Sequence, residues 1–188
     1  MRLGGQISKF KNPGEWIEII KKNKYRAAYC PIDFKENNNI IKKYVKVAKE
    51  ADIVIAEVGI WNNPLNFDMT IRNQAILACK KHLELAEKVG ANCCVNISGS
   101  RGSKWDGPDK NNFTKETFDL IVETVRGIID SVKPQKTYYT LETMPWMYPD
   151  SADSYLKLIK AIDRKQFAVH FDPVNLICSP QRYYDNAE

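Results

Sequence analysis

Short apolar runs alternate along this chain with longer segments in which apolar residues recur every three or four positions. Six such runs occur, at residues 2–5, 25–31, 52–59, 91–98, 137–144 and 167–173. Helix-type spacing between them is clearest over residues 71–89, and Gly90 would end that helix. A second pattern covers residues 118–132, with Thr114 placed to cap its start. Strand and helix alternating in this way predict a parallel sheet with helices packed outside it.

Two architectures build such a sheet, an open doubly wound sheet and a (β/α)8 barrel. A dinucleotide-binding open sheet would carry G-x-G-x-x-G after its first strand, but the sequence there is "LGGQISKF", and no Walker motif occurs. We therefore expect residues 1–188 to form a single α/β domain of the TIM-barrel type, incomplete, with about six βα units. Because a full barrel takes ~250 residues, we expect strands seven and eight to be missing. The unpaired sheet edges would then favour homo-oligomers.

Composition restricts the function classes only loosely. The net charge of +5 comes from lysines in short clusters, which are typical of a solvated helix surface. An anionic partner, either a sugar phosphate or a nucleic acid, is the alternative interpretation. Five cysteines without C-x-x-C spacing argue against a disulfide framework and against a zinc knuckle. The first residues, "MRLGGQISKF", lack a signal-peptide pattern, and no apolar stretch is long enough to span a membrane, so we expect a cytoplasmic protein.

Polar residues stand where the predicted strands end. Five of them carry groups that bind metals or substrates: Glu57, Asn96, Glu142, His170 and Asp172. In parallel α/β folds the strand ends meet at one rim, and carboxylates with an imidazole at fixed distances suit a divalent cation. Each residue also has a simpler interpretation. Glu142 alone could be a solvated or helix-capping residue, His170 a hydrogen-bonded core residue, and Glu57 the partner of a nearby Lys or Arg.

Two loops after strands add candidate substrate contacts. In "SGSRG", backbone N–H groups and the Arg101 side chain could cradle a phosphate, although Gly-Ser loops are common. Trp61 follows the third strand, where its ring could stack on a sugar or simply cover the core.

The motifs "YTLETMPW" and "HFDPVN", about thirty residues apart and each at a strand end, resemble the xylose isomerase-like barrel superfamily. That group includes sugar isomerases, ketose 3-epimerases, inosose dehydratases and, more distantly, endonuclease IV. "AEVGIWNNP" and "CCVNISGSRG" resemble its sugar isomerase/epimerase branch. The resemblance implies a divalent metal (Mn, Mg or Zn) held by Glu142 and Asp172, with a His and a Glu from strands seven and eight completing the shell. Asn175 stands where the epimerase branch often has a histidine.

The resemblance implies a metal-dependent sugar or sugar-phosphate isomerase or epimerase that works through an enediolate, with Glu142 moving the proton. Substrate contacts are expected from Glu57, Trp61, Asn96, Arg101, His170 and Asn175. One alternative is an endonuclease IV-like phosphodiesterase, although such enzymes use histidine-rich sites and only two histidines occur here, so nucleic acid is not the expected partner. The other is a non-catalytic remnant. We expect the isolated chain to self-associate, to bind divalent metal weakly and to show no turnover.

Overall fold

A computed structural model describes residues 1–187, with side chains described through Asp185. Within that range six parallel strands form one sheet in sequence order, which confirms the predicted βα alternation. The strands are β1 (Gly4–Gly5), β2 (Ala27–Tyr29), β3 (Val54–Gly59), β4 (Cys93–Asn96), β5 (Tyr138–Glu142) and β6 (Phe167–His170). No strand of residues 1–187 lies out of order, as it would in a doubly wound sheet.

Seven helices occur in the described residues, and five of them connect consecutive strands. They are α1 (Pro13–Lys22), α2 (Asn38–Glu50), α3 (Met69–Val89), α4 (Lys115–Val132), α5 (Ala152–Ile162), α6 (Pro173–Leu176) and α7 (Pro180–Ala187). Two predicted helix ends are confirmed. Thr114 caps α4 by accepting a hydrogen bond from the Thr117 amide at 3.3 Å, and Gly90 ends α3 with a φ of 72°.

The strands are shorter than the apolar runs that predicted them. In the first run only Gly4 and Gly5 pair with β2, where a side chain on Gly4 would lie 2.5 Å from the Ala27 carbonyl oxygen. In the last run β6 ends at His170, and Asp172 is the N-cap of α6. The apolar residues of these two runs that lie outside the strands, Leu3 and Phe171, are exposed, so the apolar runs overestimated both strands.

The two faces of the sheet have different neighbours. Tyr139 and Leu141 of β5 face the helices and belong to the main core, together with Ile128 of α4 and Leu158 of α5. Side chains alternate along a strand, so Thr140 and Glu142 lie on the opposite, inner face. The sheet register places Glu142 beside His170 on that face. The inner face therefore collects the polar residues of β3, β5 and β6.

No helix within residues 1–187 is long and apolar enough to cross a membrane. All five cysteines are free, as expected from their spacing, and Cys178 is exposed.

Candidate functional site

Two carboxylates from neighbouring strands meet at the carboxyl end of the sheet. Glu142 is the last residue of β5, and Asp172 follows β6 by two positions. The side-chain amide of Asn175 lies between them and donates to Glu142 Oε1 at 3.4 Å and to Asp172 Oδ2 at 3.2 Å. The resemblance predicted this pair of residues, and the fold brings them together with Asn175.

Backbone interactions hold Asp172 in place. Its amide donates to Thr143 Oγ1 at 3.2 Å, and Thr143 Oγ1 donates to the Asp172 carbonyl at 3.0 Å, which joins the ends of β5 and β6. Asp172 Oδ1 accepts the Val174 amide at 2.9 Å as the cap of α6. One carboxylate oxygen is therefore used in capping, and Oδ2 is directed toward Asn175 and Glu142.

His170 and Glu57 form a second pair across the inner face. Nε2 of His170 lies 3.0 Å from Oε2 of Glu57, although their strands are not neighbours in the sheet. Glu57 is only 8% exposed, and His170 Nδ1 is buried without a hydrogen-bond partner among the described residues. Glu57 therefore pairs with a histidine rather than with a Lys or Arg, and His170 is a hydrogen-bonded, half-buried residue at the end of β6.

The pKa values reflect crowded negative charge. Burial, followed by the hydrogen bond with Asp172, raises the pKa of Glu142 to about 7. The hydrogen bond to Glu57 raises the pKa of His170 against the opposing effect of burial. The site therefore favours positive charge, whether it is carried by a protonated histidine or by a cation.

Tyr29 joins this group, and sequence reasoning missed it. An irregularity in the β2–β3 register between Ala28 and Tyr29 places Tyr29 opposite Glu57. The charge of Glu57, then burial, then the charges of Glu142 and Asp172 raise the pKa of the Tyr29 hydroxyl. The only sequence signal was a tyrosine in the second apolar run, and the register irregularity that aims it is not visible in sequence.

Beside these residues lies a cleft of about 330 Å³. Its lining comprises Gln6, Ile7, Phe10, Tyr29, Cys30, Pro31, Glu57, Gly59 and Trp61. Trp61 has a φ of 54°, a backbone conformation that is unusual for a bulky residue, and it is 45% exposed. A side chain on Gly59 would lie 2.5 Å from Trp61 Nε1, so glycine at that position leaves room for the ring. The expected aromatic surface is therefore part of this cleft.

Asn96 does not join the other strand-end residues Glu57, Glu142, His170 and Asp172 as expected, and Arg101, expected as a substrate contact, lies in a different place. Asn96 faces the helices, where it is fully buried, accepts the Asn62 amide at 3.1 Å and donates to Asn62 Oδ1 at 2.8 Å. The Arg101 guanidinium donates to the Leu65 carbonyl at 2.5 Å and lines a separate surface depression with Glu116. The prediction for Asn96 used only its position at a strand end. Side chains alternate between the two faces of a strand, and the Asn96 side chain points to the helix-covered face of the sheet.

The fit to a divalent cation rests on two side chains. Among the residues that the structure describes, no cluster of three or more His, Cys, Asp and Glu side chains could hold a metal ion. Glu142 and Asp172 nevertheless share an amide donor, and the pKa of Glu142 is raised first by burial and then by the hydrogen bond with Asp172. A divalent ion held by these two residues would take its other ligands from water or substrate oxygens.

Comparison with known proteins supports the same fold. The profile of the family described as "Xylose isomerase-like TIM barrel" matches residues 14–187. D-psicose 3-epimerase, solved in the presence of D-fructose, is 15% identical, with a TM-score of 0.75 over 98% of this chain and 68% of that one. The probable 3-DHS dehydratase of petrobactin synthesis from Bacillus anthracis is 15% identical, with a TM-score of 0.70 over 92% of this chain and 63% of that one.

A third structure carries a metal. The xylose isomerase-like TIM barrel protein from Mycobacterium smegmatis, solved in complex with magnesium, is 13% identical, with a TM-score of 0.61 over 92% of this chain and 64% of that one. The chain thus spans between about three fifths and seven tenths of the length of these three proteins. No curated protein sequence matches it significantly. At these identities the structural matches establish the fold, and the expected TIM-barrel type is confirmed.

Proposed function

Because the chain belongs to the xylose isomerase-like TIM barrel family, we propose that the protein is a metal-dependent sugar isomerase or epimerase. The observation that supports this most directly is the meeting of Glu142 and Asp172 on the inner face, with the pKa of Glu142 raised to about 7. Solved proteins of the same fold include epimerases of D-psicose and L-ribulose and one magnesium complex.

Glu142 and Asp172 are the residues that would hold a manganese, magnesium or zinc ion. When bound there, a divalent cation supplies positive charge that stabilises developing negative charge on substrate oxygens. Asn175 orients both carboxylates through its amide group. Glu57 holds the imidazole of His170 at the same rim through its contact with Nε2, which fixes the orientation of the ring beside the substrate cleft.

Glu142 is also the group that takes the proton. Isomerisation and epimerisation both remove a proton from a carbon next to a carbonyl, which leaves an enediolate in the substrate. A half-buried carboxylate at the rim of the sheet is placed to act as this general base, a role that typically contributes ~10²–10⁴ in rate. The cleft lined by Tyr29, Glu57 and Trp61 would hold the rest of the sugar, with the Trp61 ring as its apolar surface.

A metal titration tests the binding step. Titrating this chain with Mn²⁺ should show weak binding, because two carboxylates leave most of the coordination sphere open. Asp172→Asn keeps the shape and the helix cap and removes one charge, so Mn²⁺ affinity should fall at least ~10-fold. Asp119→Asn, which alters only the surface pair with Lys115, serves as the control. Equal affinity in Asp172→Asn and wild type would contradict the proposed site.

Proton exchange tests the chemistry more sensitively than product formation. Ketoses incubated with the Mn²⁺-supplemented protein in D₂O should gain deuterium at the carbon next to the carbonyl. Glu142→Gln should abolish this exchange. Wild-type levels of exchange in that variant would show that another group moves the proton, and absence of exchange from a broad panel of ketoses and aldoses would argue against the function.

We further propose that the chain self-associates and works in a reducing compartment such as the cytoplasm. The β6 edge carries exposed apolar side chains, with Val169 51% and Phe171 63% exposed, and such an edge favours association. The free cysteines fit a reducing environment. Sedimentation of the purified chain tests the first point, and a monomer at micromolar concentrations would contradict it.

A further inference from the structure

The hydroxyl of one helix residue lies within the hydrogen-bond ladder between β5 and β6. Tyr155 of α5 donates to the Leu141 carbonyl, at 2.5 Å, and also lies 3.1 Å from the Ala168 carbonyl. The same oxygen accepts the His170 amide at 3.1 Å and the Leu141 amide at 3.3 Å. The side chain is only 4% exposed, so water does not compete for these contacts.

The register of β5 and β6 continues unbroken through this level. Leu141 pairs with Val169, so in the parallel pattern its amide faces the Ala168 carbonyl and its carbonyl faces the His170 amide. A hydroxyl has one proton and two lone pairs, and it can therefore contact both strands at this level. The Tyr155 oxygen thus adds to the ladder a side-chain link that ties β5 to β6 just before Glu142 and Asp172.

This hydroxyl contacts residues that lie close in sequence to Glu142 and Asp172. Glu142 follows Leu141 directly, and the His170 amide that contacts the hydroxyl lies two residues before Asp172. The Tyr155 ring is fixed in turn, because it stacks on Phe167 with ring centroids 6.0 Å apart, and a capping box at Ser151 fixes the start of α5. The packing of α5 against the sheet therefore influences the distance between the Glu142 and Asp172 carboxylates.

We propose that Tyr155 is a positioning residue that sets the distance between Glu142 and Asp172 through its hydroxyl in the β5–β6 ladder. This inference rests on the proposed function for the role of the two carboxylates, but the spacing itself can be measured without metal. Tyr155 contacts neither carboxylate and acts only through the strands that carry them.

The first measurement uses the metal-free protein. Because the side-chain amide of Asn175 bridges both carboxylates, its two N–H resonances report their spacing. Tyr155→Phe should shift these resonances and change the exchange rates of the Leu141 and His170 amides, with cooperative unfolding retained. Tyr148→Phe removes a tyrosine hydroxyl that donates to the Phe113 carbonyl, away from the ladder, and should change neither. Unchanged Asn175 resonances in Tyr155→Phe would overturn the proposal.

The second measurement is Mn²⁺ affinity, which should fall about tenfold in Tyr155→Phe and stay at the wild-type value in Tyr148→Phe. If wild type binds no Mn²⁺, the proposed function fails, and the Asn175 resonances still decide this inference. If wild type binds and Tyr155→Phe binds equally well, this inference fails alone. Should Tyr155→Phe not fold, the wild-type hydroxyl proton should give a slowly exchanging resonance with nuclear Overhauser contacts to the Leu141 and His170 amides, and the absence of those contacts would overturn the proposal.

Discussion

Asn96 and Glu142 end neighbouring strands at the same rim, yet they lie in opposite environments. Asn96 is paired in the register with Leu141, so it faces the helices, and Glu142, one residue further on, faces inward. Asn96 is satisfied by hydrogen bonds with the backbone and side chain of Asn62 and with the thiol of Cys79 at 3.5 Å. Around Glu142 the polar groups do not satisfy one another, because carboxylates crowd together and His170 Nδ1 has no partner within the described residues.

The difference shows how to separate structural polar residues from functional ones at a strand end. Buried polar groups that hydrogen-bond to one another offset the free energy lost when they leave water, and they stabilise the fold. Like charges that are crowded together and half buried lower the stability of the fold. Such an arrangement is explained by a ligand of opposite charge that reduces their repulsion. Substitutions on the two faces should therefore have opposite consequences for stability and for binding.

The largest expected effect comes from Glu142→Gln in the Mn²⁺-supplemented protein. Deuterium exchange into a ketose should fall by at least ~10², because the change removes both a metal ligand and the group that moves the proton. Stability without metal should stay the same or rise, since the change removes a carboxylate beside Asp172. The exchange assay in D₂O checks the first statement and calorimetry without Mn²⁺ checks the second, each beside Glu116→Gln as a surface control. Near-normal exchange would show that Glu142 is structural.

Asn96→Ala should produce the reverse pattern. It leaves the Asn62 amide and carbonyl groups without their buried partner, so the free energy of unfolding should fall by about 2–3 kcal/mol. Mn²⁺ affinity should stay at the wild-type value at temperatures where the variant is folded. Urea unfolding beside Asn92→Ala, an exposed asparagine next to the same strand, provides the matched comparison. A loss of metal affinity without a loss of stability would show that Asn96 belongs with the residues of the metal site.

Glu57→Gln should change the protonation of His170 with little effect on stability. The Glu57 carboxylate is the main cause of the raised pKa of His170, so its removal should lower that pKa. The sequence has only two histidines, and a His82→Gln variant assigns their signals for an NMR titration. An unchanged His170 pKa would mean that the contact at 3.0 Å does not form in solution.

The smallest effect concerns Glu87, far from the rim. Burial alone would raise its pKa, but the amides of Thr137 and Lys136 donate to its carboxylate and the net shift is downward. A lowered folded-state pKa contributes stability above the ordinary pKa of glutamate, and this contribution is lost as pH falls through the folded value. Between pH 6 and pH 3 the melting temperature should fall more steeply in wild type than in Glu87→Gln. If the melting temperatures of the two proteins fall in parallel with pH, Glu87 does not make this contribution.

Sequence reasoning performed well where a pattern is local. The helix caps at Thr114 and Gly90 follow from a side-chain oxygen and from the freedom of glycine, which belong to single residues. Glu142 and Asp172 were found through motifs that resemble a family. Tyr29 and Tyr155 were not found, because a register irregularity aims the first and a helix–strand contact gives the second its role.

The alternation of strand and helix was determined by sequence alone, because hydrophobic periodicity is local and the parallel order follows from connecting helices. Sequence also determined that carboxylates and an imidazole would stand near one rim. Only the tertiary structure decided which of them meet: Glu57 reaches His170 from a distant strand, and Asn96 turns to the helices. The reason is that side-chain direction depends on where each strand starts to pair, and pairing is settled by long-range packing rather than by the residues of one strand.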